Sequence, residues 1–378
     1  MAADIELREV TTRRDLERFV RFPWRVYRGD HNWVPPLISE QVSYLTPQRN
    51  PLLQGAHLAL YTAHRRGRLV GTVGTVLDGR TANDPHGTVG VFGFFEVLDD
   101  YPAAERLLDA ARARLRAAGA RVMRGPQSFS EQERPGVLIA GADCPPVMFA
   151  AHTPPYYKTF LERYGMSRFH DVYAWRASRS QIGENLERIP MEIRRVAEAA
   201  RRHGVTVRKA RLDRWGEEVA TAHHLFNATL SHLPTFNSIS WQEFQSLAEP
   251  MRRIVDPDLA LFAELDGRVV GFCVSLPDLN RALIHLNGRL FPLGWLRLWW
   301  YLRKVDVLTF KLMGVLPELR YRGIDALLFE ESIRGMIAKG YQWLDGSLTS
   351  EHNKTVNLLA SRFGAERYKH YRIYQVAV

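Results

Sequence analysis

The sequence predicts an α/β fold used twice, as two tandem domains, each a mixed, mainly antiparallel sheet flanked by helices. Three observations carry this. The stretches GRLVGTVGTVLD (Gly67 to Asp78) and GRVVGFCVSLPD (Gly267 to Asp278) agree at five of twelve positions. Each follows an apolar run, LALY at Leu58 to Tyr61 and LALF at Leu259 to Phe262, and then a charged turn, which reads as strand, hairpin and second strand in both halves. Downstream, Gly93, Gly119 and Gly125 stand 26 and 6 residues apart, and Gly314, Gly340 and Gly346 repeat those spacings. The length agrees, because 378 residues exceed what a single hydrophobic core usually organises.

Taken in order, the first domain is expected over residues 1–177, a linker and helix over 178–203, and the second domain over 204–378, starting at the strand VTVRKA. Between the first two glycines of each set runs an apolar-periodic helix, LLDAARARLRAAG in one half and LLFEESIRGMIAKG in the other. Each half closes on an aromatic-Gly pair after a short helix, ERYGM at Glu162 to Met166 and SRFGA at Ser361 to Ala365. A repeat of this length means two domains rather than a solenoid.

Composition narrows the partners. With 51 Lys and Arg against 41 Asp and Glu, the formal charge is +10, which favours a nucleotide phosphate, an acidic carrier protein or an anionic membrane surface. The basic residues are scattered in pairs such as Arg194-Arg195, without a nucleic-acid motif, so nucleic acid is not favoured. Cys144 and Cys273 lie far apart in apolar settings and suggest neither a metal site nor a disulfide framework. The start MAADIELREV has no apolar signal region and no stretch reaches the roughly 18 apolar residues of a spanning helix. A cytoplasmic protein is expected, peripheral at the cytoplasmic membrane if one of its surfaces docks there.

The most specific residues are in the second half: LTFKLMGVLPELRYRGIDALLFE at Leu308 to Glu330, then TSEHNKTVNLLASRFGA at Thr349 to Ala365. A strand entering a turn and helix, then an Asn and an aromatic-Gly pair, resembles the GCN5-related N-acetyltransferase (GNAT) fold. The resemblance covers most of the chain as a topology and about forty residues as motif. In that family a Q/R-x-x-G-x-G/A run offers backbone N–H groups to the pyrophosphate of an acyl-coenzyme A, as any helix N-terminus favours an anion. The matching residues here are Arg320, Tyr321, Arg322, Gly323, Ile324, Asp325 and Ala326, with Asp325 where the family has a small residue. That departure leaves room for acyl-carrier protein beside acyl-CoA as donor; no metal is implied. Read without the family, RYRGID is equally a helix start with surface arginines. The first half has Asp99 to Ala104 in the corresponding place by glycine register, a poor phosphate nest, so it is expected to be a degenerate structural copy.

The resemblance also implies direct acyl transfer to an amine. The pantetheine would lie along the motif's strand, with an oxyanion-binding N–H around Gly314, Val315 and Leu316, and Asn353 would bond the pantetheine arm. Glu318, Glu351 and His352 are the candidate bases, each with a plain surface role as its alternative. The family's tyrosine falls at Leu359 or Ala360, neither of which can give a proton. His223, His224 and His232 border the acceptor pocket or merely cap and coat a helix.

Two insertions bear on the substrate. Asp78 and Gly93 are 15 residues apart, whereas Asp278 and Gly314 are 36 apart. The gained run GRLFPLGWLRLWWYLRK (Gly288 to Lys304) holds three of the nine tryptophans and is flanked by cations. It reads as a membrane-interface segment, a lid over an acyl chain, or a buried helix between domains. The first half gains a Pro-aromatic run, SFSEQERPGVLIAGADCPPVMFAAHTPPYY. Together with FPWRVYRGDHNWVPPL and the C-terminal YKHYRIYQ, it resembles a bacterial family of double-GNAT proteins, some of which N-acylate sphingoid bases to ceramides. Where that family often has Asn before Pro-Pro-Tyr-Tyr, this chain has His152 and Thr153. The resemblance implies an N-acyltransferase with a long-chain or membrane-borne reactant. Two alternatives stay open: a non-catalytic GNAT-fold protein that binds an acyl carrier or lipid, and an aminoacyl transferase fed by charged tRNA.

Overall fold

A computed structural model describes residues 4–78, 87–129, 134–231 and 238–378. His232, and the centre of the first-half insertion at 130–133, lie outside the described residues. Among these residues fourteen strands form one sheet: β1 (Ile5–Glu9), β2 (His57–Arg65), β3 (Arg68–Leu77), β4 (Val89–Val97), β5 (Val122–Gly125), β6 (Val137–Ala140), β7 (Ser167–Ser178), β8 (Thr206–Lys209), β9 (Ala260–Leu265), β10 (Arg268–Pro277), β11 (Val307–Val315), β12 (Trp343–Asp345), β13 (Thr349–Ser350) and β14 (Glu366–Ala377).

The expected hairpins form, β2 with β3 and β9 with β10, turning at Arg66-Gly67 and Asp266-Gly267 with positive φ at all four residues. Such turns match the right-handed twist of the strands they join. In each half β4 or β11 pairs antiparallel with the hairpin and parallel with the strand after the next helix, β5 or β12. The connecting helices, Tyr101–Ala117 and Ile324–Ala338, explain the parallel pairs, since such a crossover needs a long connection. Each buries one stripe against the sheet: Ala103, Leu107, Leu108, Ala111 and Leu115 in the first, Ile324, Leu327, Leu328 and Met336 in the second. Every such leucine contributes on the order of 1.5–3 kcal/mol.

The sheet runs β1-β2-β3-β4-β5-β14-β7-β12-β11-β10-β9-β8. The two halves have therefore exchanged their final strands. β7, from the first half, lies against β12 of the second, and β14, from the second, lies against β5 of the first. β7 and β14 pair with each other from Glu366↔Arg176 to Gln375↔Ser167 and form the joint. A buried charge sits in it: Asp171 Oδ1 accepts from Arg372 Nε at 2.8 Å, Oδ2 accepts from Arg372 at 3.1 Å and lies 2.8 Å from His370 Nε2, and Arg168 Nε is 3.2 Å from Oδ1. No helix among the described residues is long and apolar enough to cross a membrane.

Candidate functional site

The two halves treat the end of the parallel pair differently. In the first, β4 and β5 pair as far as Val91↔Arg124, and the gap beyond is closed by the chain: Gln127 N–H donates to Phe92 O at 3.1 Å. Gly93 is needed there, because a Cβ would lie 1.7 Å from the Gln127 carbonyl oxygen. In the second, pairing stops at Thr309↔Asp345. Gly346 then turns away and gives its N–H to Trp175 O at 2.8 Å, and Asp345 holds the turn by accepting from Ser347 N–H at 3.1 Å and its hydroxyl at 2.7 Å. Beyond Thr309 the backbone of β11 thus has no strand partner on that side. At the same place β11 carries a bulge: Val274 pairs with Leu312 and Ser275 with Phe310, which leaves Lys311 between.

The loops into the helices differ in the same sense. Three residues, Leu98 to Asp100, link β4 to its helix, whereas eight, Leu316 to Gly323, link β11 to Ile324–Ala338. In the first half the Asp100 carboxylate caps the helix, accepting from Ala103 N–H at 3.3 Å and holding Arg65 through two bonds of 2.9 and 2.8 Å. The helix N-terminus there already has its anion. In the second half Gly323 is the N-cap, with φ +79° and no side-chain bond, and the Leu327 N–H is bonded to Gly323 O. The N–H groups of Ile324, Asp325 and Ala326 precede that first helical bond and, with the helix dipole, suit an anion.

Around this loop, the structure places the motif residues as follows. Val315 and Leu316 are buried, and Leu316 N–H is bonded to Val270 O at 3.0 Å. Arg320 donates to Thr229 O at 2.6 Å, Tyr321 is 99% exposed, and Arg322 and Asp325 are exposed. Asp325 lies in the first helical turn and does not cap it. Ala326 is half-buried. Gly323 also has a packing reason: a Cβ there would meet Val196 O at 2.3 Å, on the helix Met191–Arg202 that covers it.

A cavity of about 1960 Å³ lies between the halves. Its second-half wall comprises Phe226, Phe244, Phe310 to Met313, Phe329, Val356 and Phe363; its first-half wall comprises Tyr44, Phe94, Phe129 and the segment Met148 to Thr153. Asn353 lines it, with its Oδ1 accepting from Val356 N–H at 3.3 Å, as do Leu359 and Ala360. Of the candidate bases, Glu318 is in an exposed ion pair with Arg268, Glu351 is paired with Arg168 and accepts from Asp171 N–H at 3.0 Å, and His352 is exposed beside His170. His223 faces the Ile239 carbonyl at 2.7 Å and His224 is exposed.

Sequence reasoning missed three titratable groups on the cavity wall whose pKa burial shifts. Lys311 crosses to the first half and donates to Met148 O at 2.8 Å; burial lowers its pKa, against the pull of Asp345 and Asp278. Glu96 accepts from the Tyr157 hydroxyl at 2.9 Å, and burial pushes its pKa up to about 7, against that hydrogen bond, the neighbouring Tyr27 hydroxyl and the charge of Arg134. His170 is lowered to about 4, chiefly by burial. Each of the first two is the lone charge in an apolar strand, VGVFGFFEV and VLTFKLMGV. That is the signal that could have found them, since a charge inside a central strand is costly unless partnered. Among the described residues no group of three or more His, Cys, Asp or Glu side chains is placed to hold a metal.

The tryptophan-rich insertion forms the helix Gly294–Leu302. Leu298 and Leu302 on one side, with Leu290, line the cavity. On the other, Phe291, Trp295, Trp299 and Trp300 are 82, 54, 54 and 48% exposed, so the helix is not buried between domains. Arg303 stacks over Trp299 and Lys304 over Trp300, at 3.5 and 3.4 Å from the ring centroids.

No family model matches the chain. It is 32% identical, over an alignment of 383 residues, to the bacterial ceramide synthase of Caulobacter vibrioides (strain NA1000 / CB15N), covering 100% of this chain and 98% of that one. It is 31% identical to protein YghO of Escherichia coli (strain K12), covering 98 and 94%. Among solved structures, a tandem GNAT protein from the clavulanic acid biosynthesis pathway superposes with a TM-score of 0.57 at 13% identity, covering 99 and 98%. A GCN5-related N-acetyltransferase from Sphaerobacter thermophilus superposes with a TM-score of 0.54 at 12% identity, covering 99 and 96%. These two share the fold. With such identity along the whole of both chains, the protein is an acyltransferase of the tandem GNAT fold and belongs to the family of the bacterial ceramide synthase.

Proposed function

We propose that the chain moves an acyl group from a phosphopantetheine thioester, acyl-CoA or acyl-carrier protein, to the amine of a long-chain acceptor such as a sphingoid base, forming a ceramide-type amide. The observation that carries this is the asymmetry of the crossovers. The second half keeps both an uncapped helix N-terminus for phosphate and an open gap beside β11, whereas the first half fills both with its own Asp100 and Gln127. The pantetheine arm lies in the gap, beside Gly346 and Asn353, and the thioester carbonyl meets backbone N–H groups of β11 at the Lys311 bulge. The proton passes to groups on the cavity wall, since Glu318 and Glu351 are engaged by Arg268 and Arg168. A free-thiol assay with palmitoyl-CoA, palmitoyl-carrier protein and a series of long-chain amines tests the reading. Thiol release that requires the amine and yields amide is expected; absence of release with every pair would overturn it.

The acceptor class follows from the cavity and its mouth. The helix Gly294–Leu302 is apolar on both sides, with Leu298 and Leu302 facing the cavity and its tryptophans exposed among Arg297, Arg303 and Lys304. Exposed apolar surface of this kind, rimmed by cations, suits an anionic bilayer, from which a single-chain amine would enter beneath the helix. Vesicles containing phosphatidylglycerol should blue-shift the tryptophan emission, and W299S/W300S should weaken vesicle binding roughly tenfold. An unshifted spectrum, with equal sedimentation of wild type and variant, would remove the membrane from the reading.

A further inference from the structure

We infer that Glu96, in the half without the donor gap, is the docking point for the cationic head of a long-chain amine. Both the inference and its consequence for catalysis deepen the acyltransferase reading above, on which they rest. Glu96 is on β4, a central strand, and is accessible from the cavity. Its partner is fixed: the Tyr157 hydroxyl accepts from Val97 N–H at 2.8 Å, so its single proton is directed to Glu96 Oε2 at 2.9 Å. Tyr27 also borders the carboxyl, with its hydroxyl donated to His152 O at 2.8 Å. The Tyr156 hydroxyl is donated to Val97 O at 2.8 Å, and beyond Tyr27 the His152 ring is 2.7 Å from Asp30 Oδ2. Arg134 acts on Glu96 at longer range, and among the described residues no cation forms an ion pair with it.

A carboxyl in this position costs stability if it serves nothing. Tyr44, Phe94, Phe129, Met148 and Phe149 line the same cavity; among its other acidic lining residues, Glu218 is paired with Arg208 and Arg211 and Glu40 is exposed, so Glu96 is a buried carboxyl among hydrophobic walls. A single-chain amine has the complementary form, one cation on a hydrocarbon tail. In such surroundings an ion pair gains strength that water would screen. Neutral lipids and fatty acids gain nothing from Glu96, and a fatty acid is repelled.

One segment of the first half, Met148 to His152, links the site to β11. Lys311 of β11 is bonded to Met148 O, and Tyr27 beside Glu96 is bonded to His152 O. Three residues lie between Met148 and His152, so those carbonyls are at most about 14 Å apart. An amine held at Glu96 can release one proton to the carboxylate. Its nitrogen lone pair then forms the bond to the thioester carbon, the carbon–sulfur bond breaks, and the second N–H proton goes to the departing thiolate. The ammonium's third hydrogen stays on the amide. Because burial holds Glu96 near pH 7, binding of the cation strengthens as pH rises through 7 and the carboxylate forms.

Isothermal titration with dodecylamine and dodecanol, the amine being cationic throughout, tests this at pH 6 and pH 8. At pH 8 the wild type should bind the amine at least tenfold more tightly than the alcohol, with the preference reduced at pH 6. E96Q, which keeps the size and a hydrogen-bond acceptor, should bind both alike at either pH. Y157F, which removes the proton given to Glu96, should shift the midpoint of the preference to higher pH; a folding defect would not move it. Equal amine preference in wild type and E96Q, or a preference insensitive to pH, would overturn the inference. If the preference is present and abolished by E96Q, yet no thioester is consumed with dodecylamine, the acyltransferase reading fails and the amine site stands.

Discussion

Replacing Gly346 by phenylalanine should abolish donor binding and lower thioester turnover at least about 100-fold while leaving the protein folded. Gly346 is where the chain leaves β12 and opens the gap beside β11, and it lines the cavity. Its N–H is bonded to Trp175 O, and a Cβ added there would meet nothing nearer than Trp175 at 3.8 Å, so a side chain enters without a backbone clash. The ring would occupy the place proposed for the pantetheine, as the Gln127 peptide occupies the corresponding gap of the first half. Gly346→Ala should keep most activity, because one methyl leaves the gap open. Titration with a non-hydrolysable acyl-CoA, set beside thermal melts of both variants, measures the effect. A phenylalanine variant that binds and turns over as the wild type does would place the donor elsewhere. Gly323 is a poorer position for this test, since any side chain there also displaces the Val196 carbonyl.

The largest effect on stability is expected at Asp171. Replacing it with alanine should cost about 3–5 kcal/mol, because Arg372, Arg168 and His370 would be left around a site without its anion. Burial alone would raise the Asp171 pKa, but hydrogen bonds from Arg372, His370 and Arg168 more than reverse this and hold it well below the usual carboxylate range. The sign of the pH dependence follows. The stabilisation is complete above the unfolded-state value of about 4 and declines as pH falls below it toward the depressed folded-state value. Urea titrations at pH 7 and pH 3 should therefore show a gap between wild type and Asp171→Ala that narrows in acid. A gap of the same size at both would show that the carboxylate is not the source.

The hairpins and the crossover helices were legible because their signals are local: alternation of apolar residues, a Gly in each turn, and a stripe at helical spacing. The glycine spacing was legible but misleading in detail. It matches Gly93 with Gly314, whereas the ladders match Val97 with Val315, opposite Gly71 and Gly271. Gly93 yields to the Gln127 carbonyl and Gly314 to the Thr229 side chain, two different close approaches. The strand exchange was not legible. β7 and β14 alternate in the same way whichever β-strand lies beside them, and only the packing of the whole sheet decides it. In the candidate site, the motif pointed to Arg320 to Ala326, where the structure has a helix N-terminus without a side-chain cap, and to Asn353, which lines the cavity. Lys311 and Glu96 were missed, because an apolar strand with one charge was taken for its average character and not for its exception.

The joint between the halves has a bearing on how the molecule comes into being. During synthesis β5 emerges with an unpaired edge, and the strand that covers it, Glu366–Ala377, is encoded far downstream. Until then an N-terminal half folded on its own exposes a template for pairing with other chains. A fragment ending at 177 should accordingly self-associate when expressed alone and be rescued by co-expression of the remainder. The same geometry is what a strand-swapped homodimer would present if one gene came to encode both of its subunits.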